Sequence, residues 1–162
     1  MTRTNRALSV FLAGLLLAAG ANAQGKKAAD DPDQKELFDY VLTMDKFQKL
    51  SASTKTLGEM AEKHPEMKDT GNAKNLDEMV QKFQKYPEAV AVLSKNGLSP
   101  REYAVGIMTL MQAAIAVGSK KQGLYKEYPP EMLKLVSKAN LDFVDQHWDV
   151  IQKMSGFGSS DK

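Results

Sequence analysis

The uncharged run Tyr103–Gly118, which reads YAVGIMTLMQAAIAVG, decides the fold of this chain. At about 100° per residue, its large apolar side chains fall on most sides of an α-helix. Ser99, Pro100 and Glu102 precede it in the order of an N-cap, a first helical residue and a capping-box partner. Because a helix that is apolar nearly all round is buried nearly all round, the run predicts the central helix of a bundle, at about residues 100–118.

The same run is too short to predict a membrane span. A transmembrane helix needs about 20 consecutive apolar residues, whereas this run lies between Glu102 and Lys120 and contains Gln112. We therefore expect no transmembrane segment after removal of the signal peptide that is described below.

Other segments of the chain have the periodicity of amphipathic helices. Apolar side chains recur at helical spacing between residues 44 and 63 (Phe47, Leu50, Leu57 and Ala61) and between residues 76 and 85 (Leu76, Met79, Val80 and Phe83). Pro87 and Pro130 begin further helical segments, and Asn96-Gly97 is typical of a left-handed helix C-terminus. The pattern predicts an all-α fold, a compact bundle of five to six helices in a single domain over residues 32–154.

Two of the predicted helices carry stripes of small residues. The stripes are Ser51, Thr54, Gly58 and Ala61 on the helix after Thr43, and Gly106, Thr109, Ala113 and Ala116 on the central helix. Small side chains let a neighbouring helix approach closely, or they leave a cleft between helices. The sequence alone leaves both outcomes open.

The N-terminus has the three parts of a secretory signal peptide. Arg3 and Arg6 are followed by the apolar run Ala7–Ala19 and by the small-residue cleavage site Ala21-Asn22-Ala23. We therefore expect residues 1–23 to be removed on Sec-type export. Because no cysteine follows the cleavage site, a lipoprotein is not expected. These features predict a periplasmic or secreted bacterial protein.

Export leaves a mature chain without net charge. Loss of Arg3 and Arg6 from the 22 basic residues leaves as many basic residues as the 20 acidic ones. This balance gives no electrostatic argument for nucleic acid, and the lysines at 120, 121 and 126 have no interleaved aromatic residues at helical spacing. The two ends, residues 24–31 and 155–162, are polar or rich in Gly and Ser, and we expect them to be a flexible leader and a flexible tail.

The composition excludes several classes of chemistry. The sequence has no cysteine and only two histidines, His64 and His147. It therefore has no disulfide, thiol nucleophile, iron–sulfur centre, cysteine-type zinc site or three-histidine metal site. The Gly-x-Ser-x-Gly, phosphate-binding glycine-loop and His-Glu-x-x-His motifs are also absent. We therefore expect a protein that is not an enzyme.

Three polar residues are predicted to lie on apolar helix faces. The segment from Lys138 to Met154 is predicted to form one helix, with His147 near the middle of its apolar face and Asn140 pointing the same way. Gln112 lies inside the central run. Burying an imidazole or an amide costs a few kcal/mol unless it finds a hydrogen-bond partner. Either these groups pair within the core, or His147 faces a ligand or acts as a general base.

Two arrangements would suit a cofactor. Non-covalent haem b in exported four-helix cytochromes is held by a methionine and by a histidine near the end of the last helix, and His147 with Met44 or Met60 would resemble that pair at the level of the fold. Met60, His64 and Met67 offer thioether and imidazole ligands that suit Cu(I). Pro65 breaks the helix that would align this trio, and no dedicated cofactor motif is present.

These features favour an exported, non-enzymatic binding protein of the bacterial cell envelope. Its partner is another envelope protein or a small apolar ligand, and the alternative function is a periplasmic carrier of haem or copper. An apolar cavity beside His147 and Gln112 would indicate a small ligand. A solid core with an exposed apolar patch would indicate a protein partner.

Overall fold

The computed structural model describes residues 31–65, 67 and 73–155, and within them it contains helices and no strand. The predicted signal peptide and the residues after Ser155 lie outside the described part. In chain order the helices are α1 (Pro32–Asp39), α2 (Met44–Lys63), α3 (Leu76–Gln84), α4 (Pro87–Lys95), α5 (Pro100–Lys121), α6 (Pro130–Leu135), α7 (Lys138–Gln146) and α8 (Trp148–Ser155). The predicted all-α fold is confirmed, with eight helices in the described residues where five to six were predicted.

Helix α5 is the centre of the bundle. It packs against α1, α2, α3, α4 and α7, and thirteen of its residues are buried. Within the described residues, α5 is the helix long and apolar enough to cross a membrane, but 72% of its most apolar window is buried inside the protein. This burial confirms the predicted role of the run as a core helix, which continues to Lys121 rather than ending near residue 118.

The C-terminal region contains more helices than the sequence predicts. The backbone of His147 has φ −107° and ψ 20°, so the single helix predicted from Lys138 to Met154 is wrong, and α7 and α8 take its place. The His147 N–H donates to the Phe143 carbonyl at 3.1 Å, and the Ile151 N–H donates to the His147 carbonyl at 3.0 Å. One non-helical residue changes the apolar periodicity too little for the sequence to reveal it.

Helix ends follow their local sequence signals. The Ser99 hydroxyl accepts a hydrogen bond from the Glu102 N–H at 3.1 Å, and the Thr43 hydroxyl accepts one from the Lys46 N–H at 3.3 Å. Gly97 has φ +71°, which confirms the left-handed end predicted for α4. The strongest of these signals, at Ser99, begins the central helix.

The glycines of the two small-residue stripes have different surroundings. A Cβ atom added to Gly106 of α5 would lie 2.9 Å from both Leu50 Cδ atoms and from the Tyr40 hydroxyl oxygen, so this glycine lets α2 and the α1–α2 turn approach α5 closely. A Cβ atom added to Gly58 of α2 would meet nothing within 4 Å. Close approach is therefore shown at Gly106, whereas Gly58 borders open space.

Candidate binding surface

His147 lies half-buried at the junction between α7 and α8. Its ring packs on the Phe143 ring with centroids 4.8 Å apart and planes inclined by 55°. The imidazole forms no side-chain hydrogen bond within the part of the chain that the structure describes. The structure therefore gives His147 an aromatic neighbour rather than a hydrogen-bonded place in the core.

Asn140 is fully buried and has two well-formed hydrogen bonds. Its Oδ1 accepts from the Leu42 N–H at 2.9 Å, and its Nδ2 donates to the Tyr40 carbonyl at 2.7 Å. Both partners belong to the turn between α1 and α2. Asn140 therefore satisfies two backbone groups that α-helices leave unpaired, and it fastens this turn to α7.

Gln112 has a related role at another place. Its Nε2 lies 3.5 Å from Gln34 Oε1, and Gln34 Nε2 donates to the Leu135 carbonyl at 2.8 Å. One turn earlier on α5, the Thr109 hydroxyl donates to the Leu37 carbonyl at 3.1 Å. The three polar residues predicted as one group are thus not joined by hydrogen bonds, because Gln112 and Asn140 each hold the N-terminal helix and its turn while His147 stands apart.

The residues proposed for cofactor binding are distributed over different surroundings. Met60 is half-buried in the last turn of α2, His64 is exposed just after that helix, and Met67 is buried in the core. Met44 and Met60 lie at opposite ends of α2, which packs on α4 and α5, whereas His147 joins α7 to α8. Among the described residues, no group of three His, Asp or Glu side chains is placed to hold a metal ion.

A shallow groove of about 730 Å³ lies between α1 and the start of α5. Its lining is mostly charged; it consists of Pro32, Lys35, Glu36, Asp39, Tyr40, Ser99, Arg101, Glu102 and Val105. The Arg101 guanidinium is already occupied, since it binds the Glu36 and Asp77 carboxylates at 2.5 Å each. This groove is wide open and does not include His147 or Gln112, so it is not the cavity beside these two residues that a small apolar ligand would indicate.

The hydroxyl of Tyr40, which lines this groove, is enclosed and has no hydrogen-bond partner among the described residues. Burial and the nearby Glu102 carboxylate raise the pKa of Tyr40 to about 12. Lys46 places its ammonium 4.2 Å from the centre of the Tyr40 ring. The Tyr40 hydroxyl packs against Gly106, where an added Cβ atom would lie 2.9 Å from its oxygen.

Lysine and aromatic side chains meet where α5 ends and α8 begins. The Lys120 ammonium lies 4.5 Å from the centre of the Tyr128 ring, and the Tyr125 and Tyr128 rings are 6.0 Å apart. Lys121 pairs with Asp145 at 2.6 Å and lies 5.9 Å from the Trp148 ring. We call this set the lysine–aromatic surface; its members are Lys120, Lys121, Tyr125, Tyr128 and Trp148.

Two features hold the lysine–aromatic surface in place. The Tyr125 hydroxyl donates to the Ala116 carbonyl at 2.5 Å. The Trp148 indole covers Gly118, where an added Cβ would lie 3.0 Å from its Cη2 atom. The sequence showed the lysines but missed their aromatic neighbours, because the loop after α5 turns back and brings Tyr128 onto Lys120 without helical spacing.

The turn that begins this loop exposes a leucine. Gly123 has φ +80°, its N–H donates to the Lys120 carbonyl at 2.9 Å, and the Leu124 N–H donates to the Ser119 carbonyl at 3.1 Å. These bonds form a Schellman motif, in which the residue after the glycine often packs on the helix. The equivalent residue after α4, Leu98, is 3% exposed, whereas Leu124 is 71% exposed.

No protein family, curated protein or solved structure matches this chain. The functional assignment therefore depends on the geometry of the described residues and on the sequence.

Proposed function

We propose that the protein is an exported, non-enzymatic binding protein of the bacterial cell envelope, and that it binds through the lysine–aromatic surface. The single observation that supports this site is the clustering of two tyrosines and the chain's one tryptophan with two lysines at one end of the central helix. Tyrosine and tryptophan are strongly enriched at the energetic centres of binding surfaces, because they provide large apolar contacts and a polar atom.

The arrangement supports binding better than catalysis. His147 adjoins this surface through Trp148, yet it has no orienting carboxylate among its described neighbours, as a general base would need. Lys121 is paired with Asp145, and Lys120 is directed onto a ring. These contacts stabilise a fixed surface and do not prepare a nucleophile or a proton acceptor.

Site-specific photocrosslinking in cells tests the proposal. A benzoylphenylalanine at position 128 is expected to give adducts with an envelope component, protein or lipid, because Tyr128 is part of the lysine–aromatic surface. The matched control carries the crosslinker at Lys55, an exposed position of α2. Adducts are separated by electrophoresis and identified by mass spectrometry. Equal yields at both positions, or none at either, would contradict the assignment.

A further inference from the structure

The exposed leucine after α5 is held in a fixed position. The Schellman motif fixes the backbone of Gly123 and Leu124 by two hydrogen bonds to the last turn of α5. Helix α5 is itself the most buried helix of the bundle. Leu124 is therefore an apolar side chain presented to the surroundings by a rigid support.

The side chains beside Leu124 are cationic or amphipathic. Lys120 precedes the turn, Lys126 is exposed after it, and the Tyr125 and Tyr128 rings flank these lysines. Glu127 is the acidic residue within this loop, and Asp145 neutralises Lys121 across it. Lys138 likewise neutralises Asp142, whose carboxylate lies near Tyr128, so Lys120 and Lys126 against Glu127 leave an excess of one positive charge. The mature chain as a whole is expected to be neutral.

This combination suits a lipid surface better than a protein interface. Lysine is depleted from protein–protein interfaces, and leucine is under-represented among their hot spots. At a bilayer surface the same residues are favourable together: leucine enters the acyl region, tyrosine lies at the level of the headgroups, and lysine stems extend toward anionic phosphates.

We propose that Leu124 and the lysine–aromatic surface dock the protein on a phospholipid bilayer that carries anionic headgroups. This inference rests on the proposed function and names the partner of the same surface. One leucine and a few lysines give weak, reversible attachment, so the binding depends on anionic lipid and decreases as salt is added.

Vesicle binding of the full-length mature protein tests this proposal. Because the chain has no cysteine, Gln122→Cys beside the leucine can be labelled with an environment-sensitive dye, and Lys55→Cys on α2 gives the matched control. We expect a blue-shifted emission only from position 122, and only with vesicles of phosphatidylglycerol and phosphatidylcholine. Phosphatidylcholine vesicles alone are expected to leave both emissions unchanged.

Variants separate the leucine from a general electrostatic effect. Leu124→Glu is expected to lower the fraction bound by about tenfold or more, since it removes the contact of the leucine with the acyl region and adds a negative charge. Leu133→Glu, which changes another exposed leucine (44% exposed) on α6, is expected to bind as the wild type does. Both positions are exposed, so the thermal unfolding of both variants serves as the folding control.

Two results would overturn the lipid assignment. One is that the wild-type protein does not bind anionic vesicles at low salt. The other is that Leu124→Glu binds them to the same extent as the wild type. If the crosslinker at position 128 nevertheless gives protein adducts, the proposed function stands and only the bilayer is wrong as its partner. If either of these two results comes together with an absence of adducts at position 128, both proposals fail.

Discussion

Asn140 shows how a single buried amide can hold two segments of the chain together, as the prediction of a hydrogen-bonded core amide requires. Its Oδ1 and Nδ2 atoms bind one N–H and one carbonyl of the α1–α2 turn, and its side chain is fully enclosed. An asparagine is suited to this place because it offers a donor and an acceptor about as far apart as a peptide's own.

Removal of the Asn140 amide is expected to destabilise the protein severely. In Asn140→Ala, the Leu42 N–H and the Tyr40 carbonyl lose their partners in a buried place, and each such loss costs about 1–3 kcal/mol. We expect urea denaturation to show a free energy of unfolding lower by about 2–4 kcal/mol. Asn140→Asp keeps the acceptor and loses the donor, so the Leu42 bond survives while an uncompensated charge is buried. If the free energy of unfolding of Asn140→Ala differs from the wild type by less than about 0.5 kcal/mol, Asn140 does not hold the α1–α2 turn as proposed.

At the scale of the element, close approach between helices depends on single glycines. Gly106 is the point where α5 meets Leu50 of α2 and the Tyr40 hydroxyl, and Leu50 is fully buried. Gly58, on α2, borders open space. The same substitution at these two positions therefore has opposite effects.

Gly106→Ala is expected to destabilise the protein, and Gly58→Ala is expected to stabilise it. Alanine gains about 1 kcal/mol over glycine inside a helix, and this gain is unopposed at Gly58. At Gly106, overpacking costs about 1–3 kcal/mol and outweighs the gain. Melting temperatures of the two variants measure the contrast. Adding Tyr40→Phe to Gly106→Ala removes one of the crowded atoms and should restore part of the loss; no restoration would show that Tyr40 is not the obstacle.

The breaks between elements were the hardest feature to predict from the sequence. The N-cap at Ser99 and the glycine end at Gly97 are local chemistry, so the sequence predicted them correctly. The break at His147 has no proline or glycine to mark it, and backbone hydrogen bonds four residues apart continue on both sides of it. The apolar periodicity therefore passes through the break unchanged.

At the scale of the whole molecule, the sequence predicted the fold more completely than the binding surface. The central helix follows from the absence of charge between Glu102 and Lys120, because apolar area must be buried somewhere. The lysine–aromatic surface arises from residues that a loop brings together, such as Lys120 and Tyr128. No periodicity encodes such a contact, so the sequence predicted His147 as a candidate residue and did not predict the aromatic residues near it.

The bundle is expected to lose stability in strongly alkaline solution. Burial raises the pKa of Tyr103 to about 12, against an opposing hydrogen bond with Thr54. An unfolded tyrosine has a pKa of about 10, so the contribution of Tyr103 is fully present below pH of about 10 and is lost as the pH rises toward about 12. A difference of two pKa units between the folded and unfolded states corresponds to about 2–3 kcal/mol in the free energy of unfolding.

Urea denaturation of wild type and Tyr103→Phe across this range isolates the effect. The variant lacks the ionisable group and the 2.9 Å contact with Thr54. Its free energy of unfolding is therefore expected to be lower than that of the wild type at neutral pH, and to decrease less above pH of about 10. Lysine deprotonation affects both proteins alike. A constant gap between the two stability curves would mean that Tyr103 does not titrate with folding.

The two hydrogen bonds between Asn140 and the α1–α2 turn join residues that are 98 and 100 positions apart in the chain. The ribosome synthesises this turn long before it synthesises Asn140. The turn after α1 therefore lacks these two hydrogen bonds while most of the remaining chain is made. Completion of the native structure thus belongs to the last stage of the chain's production.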